Sequence, residues 1–184
     1  KKHVSDYYVT PVDEIINFIN EFNRYEDILK KDIYILDPCA GGDDKYPMSY
    51  PEALRQTGIN LDNITTVDIR KDSLADIRED YLEIESPGDF DVIITNPPFS
   101  ISRDIIEKAL NDVKDGGFVI MLLRLNYFGS KARKDLWDKQ MPKYTFVHHR
   151  RMSFTDDGKT DSIEYCHMVW QKGLYPEFTQ LKVI

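Results

Sequence analysis

The chain has 184 residues with 41% hydrophobic and 30% charged side chains, enough for one domain of ordinary size with a full core. A net charge of −8 and a pI near 5.0 exclude a chain-wide electrostatic grip on nucleic acid, so any such contact must use a local basic patch. There is no long apolar stretch, signal-peptide pattern or low-complexity tract, which points to a soluble cytoplasmic protein, and Cys39 and Cys166 lack the spacing of a disulfide framework or a zinc site, so no metal is expected.

Apolar positions Val12, Ile15, Ile16, Ile19 and Phe22 predict a first helix, with Thr10 as its cap and Pro11 at its first position. Ile33 to Leu36 and Ile64 to Ile69 are the first two predicted strands, followed by a short helix over Asp72 to Arg78 and a brief strand near Tyr81-Leu82. Val92 to Thr95 is the next strand, and a helix follows from Ser102 to Leu110. Phe118 to Leu123 is a wholly apolar strand entered through Gly116-Gly117, and Lys131 to Gln140 reads as another helix. Tyr144 to Arg151 and Ile163 to Trp170 are the last predicted strands, an antiparallel hairpin around the polar loop Thr155 to Asp161. Strands alternating with helices make this an α/β protein, a mostly parallel sheet with helices on its faces.

In such sheets, function sits at the carboxyl ends of the strands. The first strand runs into Asp37-Pro38-Cys39-Ala40-Gly41-Gly42, where small residues let the backbone approach a ligand; this is neither a dinucleotide fingerprint nor a Walker loop. The second ends at Asp68-Ile69, an acid placed to bind ribose hydroxyls or simply to cap the next turn. Asp80-Tyr81 follows, with Asp80 available to accept from an adenine amino group. The most informative segment is Thr95-Asn96-Pro97-Pro98-Phe99, directly after Asp91-Val92-Ile93-Ile94. An exocyclic amino group is a poor nucleophile because its lone pair is delocalised into the ring. The Asn96 oxygen and the Pro97 carbonyl, both acceptors, would pull that density back, and prolines fix φ without adding a competing N–H. Phe99 would stack on a base swung out of its helix. The plainer alternative is a strand ended by a proline turn.

These motifs resemble the S-adenosylmethionine-dependent amino-methyltransferases, and within them the N6-adenine DNA methyltransferases, over nearly the whole chain. The resemblance implies a Rossmann-like class I methyltransferase fold in a single domain, with no separate large target-recognition domain. It implies a cofactor site from Asp37, Pro38, Cys39, Ala40, Gly41, Asp68, Ile69, Asp80, Tyr81 and Asn96, closed by the segment Tyr7-Tyr8-Val9-Thr10-Pro11. The catalytic tetrapeptide would be Asn96, Pro97, Pro98 and Phe99, with Phe154 as a second aromatic on the base. Leu123 to Ser130, Arg150 to Phe154, Asp157 to Ser162 and Glu164-Tyr165 resemble small phage or prophage adenine methyltransferases, whose roles run from restriction-modification to regulation. The chain departs from the family where Cys39 replaces a common second proline and in the spacing of Gly41-Gly42.

The expected partner is double-stranded DNA, with RNA less favoured, for a monomer or homodimer. Recognition would come from the loops Asp43 to Glu52, Tyr127 to Arg133 and Thr155 to Ser162. The basic cluster His148-His149-Arg150-Arg151, with Lys143 and Lys159, is the best local phosphate patch, and strand alternation would send His149 and Arg151 to one face and His148 and Arg150 to the other; Arg151 and Lys159 are the substrate-binding candidates. Neither histidine is required as a general base. Three alternatives stay open: an adenine methyltransferase of structured RNA, a protein glutamine methyltransferase, and a non-catalytic cofactor-binding phage factor. Pro38-Cys39 imitates a cytosine-C5 nucleophile in letters only, because it lies in the cofactor loop.

Overall fold

The computed structural model describes residues 8–30, 32–154, 158–160 and 162–184. Tyr7, Thr155, Asp157 and Asp161, named above, lie outside the described residues. The chain forms α1 (Val12–Asn23), β1 (Ile35–Asp37), α2 (Ser49–Gln56), β2 (Ile64–Thr66), β3 (Val92–Thr95), α3 (Ser102–Asp112), β4 (Phe118–Arg124), α4 (Lys134–Lys139), β5 (Tyr144–Val147), β6 (Tyr165–Gln171) and β7 (Gln180–Val183). The strands make one seven-stranded sheet in the order β2-β1-β3-β4-β6-β5-β7. Every pairing is parallel except those of β6, which runs against both β4 and β5.

Alternation along the buried strands assigns the two layers. Val92, Ile94, Phe118 and Ile120 pack against Ile15, Phe18, Phe22 and Leu54 of α1 and α2. Ile93, Val119, Met121 and Leu123 pack against Ile105, Ile106 and Ala109 of α3 and Leu136 and Trp137 of α4. Both faces of the central strands are covered, which is why they read as unbroken apolar runs.

Several local expectations differ from the fold. Thr10 makes no capping bond to α1, and Pro11 is the N-cap residue. Residues 72–78 form no helix: Ser73 Oγ donates to the Gly41 carbonyl at 2.5 Å, Asp76 Oδ2 accepts from Thr66 N at 3.0 Å, and Val67 bridges Ile77 in parallel. Short polar side chains here bond to distant backbone instead of to a helix of their own. Tyr81-Leu82 is a turn, not a strand, with Leu82 N donating to Asp80 Oδ1 at 3.1 Å. Residues 131–140 split into a 3₁₀ turn, Lys131–Arg133, and α4. The first two strands and β5 are shorter than expected, and α2 and β7 are additional elements.

The order β2-β1-β3 reverses direction at β1, so β1 and β3 flank a topological switch point where their following loops diverge and leave a crevice. The segments after β1 and β3 are the two motif-bearing loops.

Candidate active site

Two adjoining cavities occupy that crevice. The larger holds about 980 Å³ including its open mouth, and its wall includes residues 38–42, Asp68 to Arg70, Asp80-Tyr81 and Asn96 to Phe99. The smaller, about 300 Å³, is lined by Tyr8, Asn96, Phe99, Arg124, Phe154 and Tyr165. Tyr8, Asn96 and Phe99 belong to both walls, so Asn96 stands at the junction.

The loop after β1 is shaped by its glycines. Gly41 and Gly42 have φ of 67° and 74°, in the left-handed region, and a Cβ on Gly42 would lie 2.6 Å from Met48 Cγ. Asp68 pins this loop: Oδ2 accepts from Gly41 N at 2.7 Å and Oδ1 from Arg70 N at 2.8 Å. Each carboxylate oxygen keeps a second lone pair for a ligand hydroxyl. Arg70 Nη2 donates to the Gly42 carbonyl at 3.2 Å, closing the loop from behind.

Asp37 is fully buried beneath the loop. Its Oδ1 accepts from Thr95 Oγ1 at 2.6 Å and from Cys39 N at 3.2 Å, while Oδ2 has no hydrogen-bond partner among the described residues. Burial pushes the Asp37 carboxyl up to about 7, with the Asp68 charge adding to the effect and the Thr95 and Cys39 bonds opposing it. A buried, unpartnered acceptor beside an open cavity suits a cationic or hydrogen-bond-donating ligand group. With the glycine cradle and the ribose-competent Asp68, the residues fit an S-adenosyl amino acid. Burial, then Asp37 and Asp68, raise the Cys39 thiol, which therefore stays protonated and serves as a small wall residue, not a nucleophile.

At the junction, Asn96 Nδ2 donates to Thr10 Oγ1 at 3.0 Å. That bond fixes the amide orientation and leaves Oδ1 as its acceptor, with no donor to it among the described residues. The Pro98 carbonyl accepts from Ile101 N at 3.2 Å, whereas the Pro97 carbonyl accepts from nothing among the described residues. Phe99 lies under the Arg124 guanidinium, 4.5 Å from its ring centroid. Tyr8, Phe99, Phe154 and Tyr165 form an aromatic box, with Phe154 packed edge-on against Tyr165 at 4.9 Å and against Tyr8 at 6.0 Å. Arg124 and Tyr165 appear in the sequence reading only within longer resembling segments and were given no site role, although Arg124 ends a strand at the same carboxyl edge as the other motifs.

Some predicted site residues are placed differently. Pro11 caps α1 and lines neither cavity, whereas Tyr81 lines the larger cavity but is largely buried, its hydroxyl turned away to donate to Asp112 Oδ2 at 2.7 Å. Arg151 and Lys159 line neither cavity; Arg151 pairs with Glu164 at 3.1 Å. The basic cluster is not one patch. Lys143 sits at the far end of β5, ion-paired with Glu26, and His148 is buried beside Glu14. Of the expected recognition loop 43–52, residues from Ser49 onward belong to α2.

No protein-family model matches this sequence, nor does any curated protein sequence. Solved structures share the fold at low identity. A candidate class I S-adenosylmethionine-dependent methyltransferase from Listeria monocytogenes superposes with a TM-score of 0.64 at 14% identity, covering 96% of this chain and 65% of that one. A candidate RNA methyltransferase from Pyrococcus horikoshii gives 0.68 at 16% identity over 95% and 90% of the two chains. The modification subunit of a candidate type I restriction enzyme from Vibrio vulnificus gives 0.59 at 13% identity; it covers all of this chain, which spans 48% of that subunit. The cavities described above therefore lie in a chain that carries the Rossmann-like class I S-adenosylmethionine-dependent methyltransferase fold.

Proposed function

We propose that this protein transfers a methyl group from S-adenosylmethionine to the N6 amino group of adenine in DNA. The observation that carries this reading is Asn96 at the junction of the two cavities, with its amide nitrogen committed to Thr10 and its oxygen left to accept. When bound in the larger cavity, S-adenosylmethionine supplies an electrophilic methyl group on a sulfonium. Asp68, Asp80 and the backbone of Pro38 to Gly41 would hold its nucleoside, and Tyr8 and Thr10 would flank its other end, with Asp37 buried behind the wall.

Asn96 Oδ1 and the Pro97 carbonyl accept the two hydrogens of the target amino group, so that its lone pair is released from the ring and aimed at the larger cavity. Pro97 and Pro98 hold that turn rigid. Phe99 and Phe154 take the faces and edge of the flipped base, with Tyr8 and Tyr165 excluding water. In-line attack by the amino nitrogen would form the N–CH3 bond as the S–CH3 bond breaks, with inversion at carbon and S-adenosylhomocysteine as leaving group, and the methylated amine would then lose one proton to solvent, so no histidine base is required. Phe99 instead of tyrosine favours a nucleobase over a glutamine amide. The likeness to a restriction-modification subunit supports a DNA partner, the likeness to a candidate RNA methyltransferase supports RNA as the second reading, and recognition would come from loops around the smaller cavity.

The test is to incubate the protein with isotopically labelled S-adenosylmethionine and unmethylated DNA or total RNA, then identify modified nucleosides by mass spectrometry. Labelled N6-methyladenine from DNA is expected; the same nucleoside from RNA alone moves the protein to the RNA class. Asn96→Ala should lower turnover on the order of 10²–10³-fold while leaving S-adenosylhomocysteine affinity nearly unchanged. Loss of ligand binding with unchanged turnover per bound complex would remove Asn96 from the chemistry.

A further inference from the structure

Two buried histidines take no part in the chemistry above, yet they connect to the larger cavity. Glu14 Oε2 lies 2.9 Å from His148 Nδ1, His148 Nε2 lies 2.7 Å from His167 Nδ1, and His167 Nε2 lies 2.9 Å from the Tyr50 hydroxyl. These four residues come from α1, the end of β5, β6 and α2, and all are at least nine-tenths buried. Phe18 stacks on His167 at 4.2 Å, and of the four only Tyr50 lines the cavity.

The chemistry of the links fixes their direction. A neutral imidazole donates from one nitrogen and accepts at the other, and a carboxylate only accepts. His148 must therefore donate from Nδ1 to Glu14 and accept at Nε2. His167 then donates from Nδ1, accepts at Nε2, and draws the Tyr50 proton inward. Only lone pairs of the Tyr50 oxygen remain for the cavity. Adding one proton to His148 reverses every link beyond it: His167 would donate to Tyr50, and the hydroxyl proton would turn toward the cavity. Burial holds His148 below the ordinary histidine range despite Glu14, with His149 acting in the same direction. His167 is lowered further by burial and by His148, so the neutral arrangement holds at pH 7.

We propose that Tyr50 is a cofactor-positioning residue, held by the Glu14, His148 and His167 chain as an acceptor for the ammonium group of an S-adenosyl amino acid. This rests on the cofactor reading above. Asp37, buried behind the same wall with one unpartnered oxygen, influences the Tyr50 hydroxyl and would add its charge on the acceptor side.

The experiment compares calorimetric binding of S-adenosylhomocysteine and of 5′-methylthioadenosine, which lacks the amino acid moiety, to the wild-type protein and to Tyr50→Phe between pH 5.5 and 8. Tyr50→Phe should weaken S-adenosylhomocysteine about tenfold at pH 7.5, the size of one hydrogen bond to a charged group, and leave 5′-methylthioadenosine within about twofold. The wild-type preference between the two ligands should fall on acidification more steeply than in the variant, which keeps both histidines and Asp37 but has no hydroxyl for the chain to turn. Equal binding of S-adenosylhomocysteine to both proteins, or equal loss of both ligands, overturns the role. Nitrogen-15 spectra of the wild type supply a readout independent of the variant: both histidines should carry their proton on Nδ1 at pH 7, and an Nε2–H form of either refutes the relay. Binding of neither ligand to the wild type would instead bring down the cofactor reading and this role with it.

Discussion

Asp37 shows how the site sets binding against stability. It is fully buried, two hydrogen bonds satisfy one oxygen, and the other has no partner among the described residues. Its carboxyl is raised from 3.8 to about 7, so the stability it contributes is fully present below about pH 4 and is lost as pH rises through about 7. Asp37→Asn keeps an acceptor for Thr95 and Cys39 while removing the buried charge. It should stabilise the ligand-free protein at pH 8 by something on the order of 1–4 kcal/mol in urea denaturation and weaken S-adenosylhomocysteine binding. No gain at pH 8 would show that the carboxylate is better solvated than its burial implies. The two buried histidines act with the opposite sign: held below 6.5, they favour the fold above that pH and lose their contribution as it falls. Residue identity made Asp37, Asp68 and Asn96 legible as candidates, since each stands at or just past the carboxyl end of a strand. Their hydrogen-bond partners were not legible, because Thr10 and Asn96 are 86 positions apart.

At the scale of elements, the loop after β1 is held by crowding. Gly42→Ala would place a side chain at φ +74° and within 2.6 Å of Met48 Cγ and 3.2 Å of Met48 N, at the start of α2. A loss of about 1–3 kcal/mol is expected in denaturant unfolding at an unchanged slope, together with weaker ligand binding. A neutral substitution would mean that Met48 and its helix move aside without cost. The elements read correctly were those with strong periodicity and local completeness. β3 matches residue for residue, and α1 extends only to Asn23. The misread ones depend on partners far along the chain. Ser73 and Asp76 bond to Gly41 and Thr66, which cancels a local helix. The expected loop 43–52 runs into α2, whose first turn accommodates Pro51 because no intrahelical donor is needed there. β7 becomes a strand because β5 pairs with it and Lys182 reaches Glu21 on α1 at 2.7 Å and Tyr25 in the turn after it at 2.9 Å.

For the whole molecule, charge frames the encounter with a polyanion. The protein carries −8 overall, and three members of the expected basic cluster have acidic partners, Lys143 with Glu26, His148 with Glu14 and Arg151 with Glu164. Binding to a DNA duplex, followed by anisotropy between 50 and 200 mM salt, should therefore show a shallow logarithmic slope, equivalent to about two to four phosphate contacts. A slope equivalent to six or more would mean that the chain presents an extended basic surface despite its net charge. Sequence alone determined the α/β class, the positions of the loops after β1 and β3, and the amide-proline-proline-aromatic motif, because these rest on short-range periodicity and on residue types with few alternative uses. Only the tertiary structure decided that those loops meet at a switch point, that Thr10 orients Asn96, that Arg124 and Tyr165 complete the aromatic cavity, and that His148, placed from sequence in the basic cluster, and His167, given no role there, join Glu14 to Tyr50. Each of these is a contact between groups distant in the chain, and the order and direction of the strands bring such groups together.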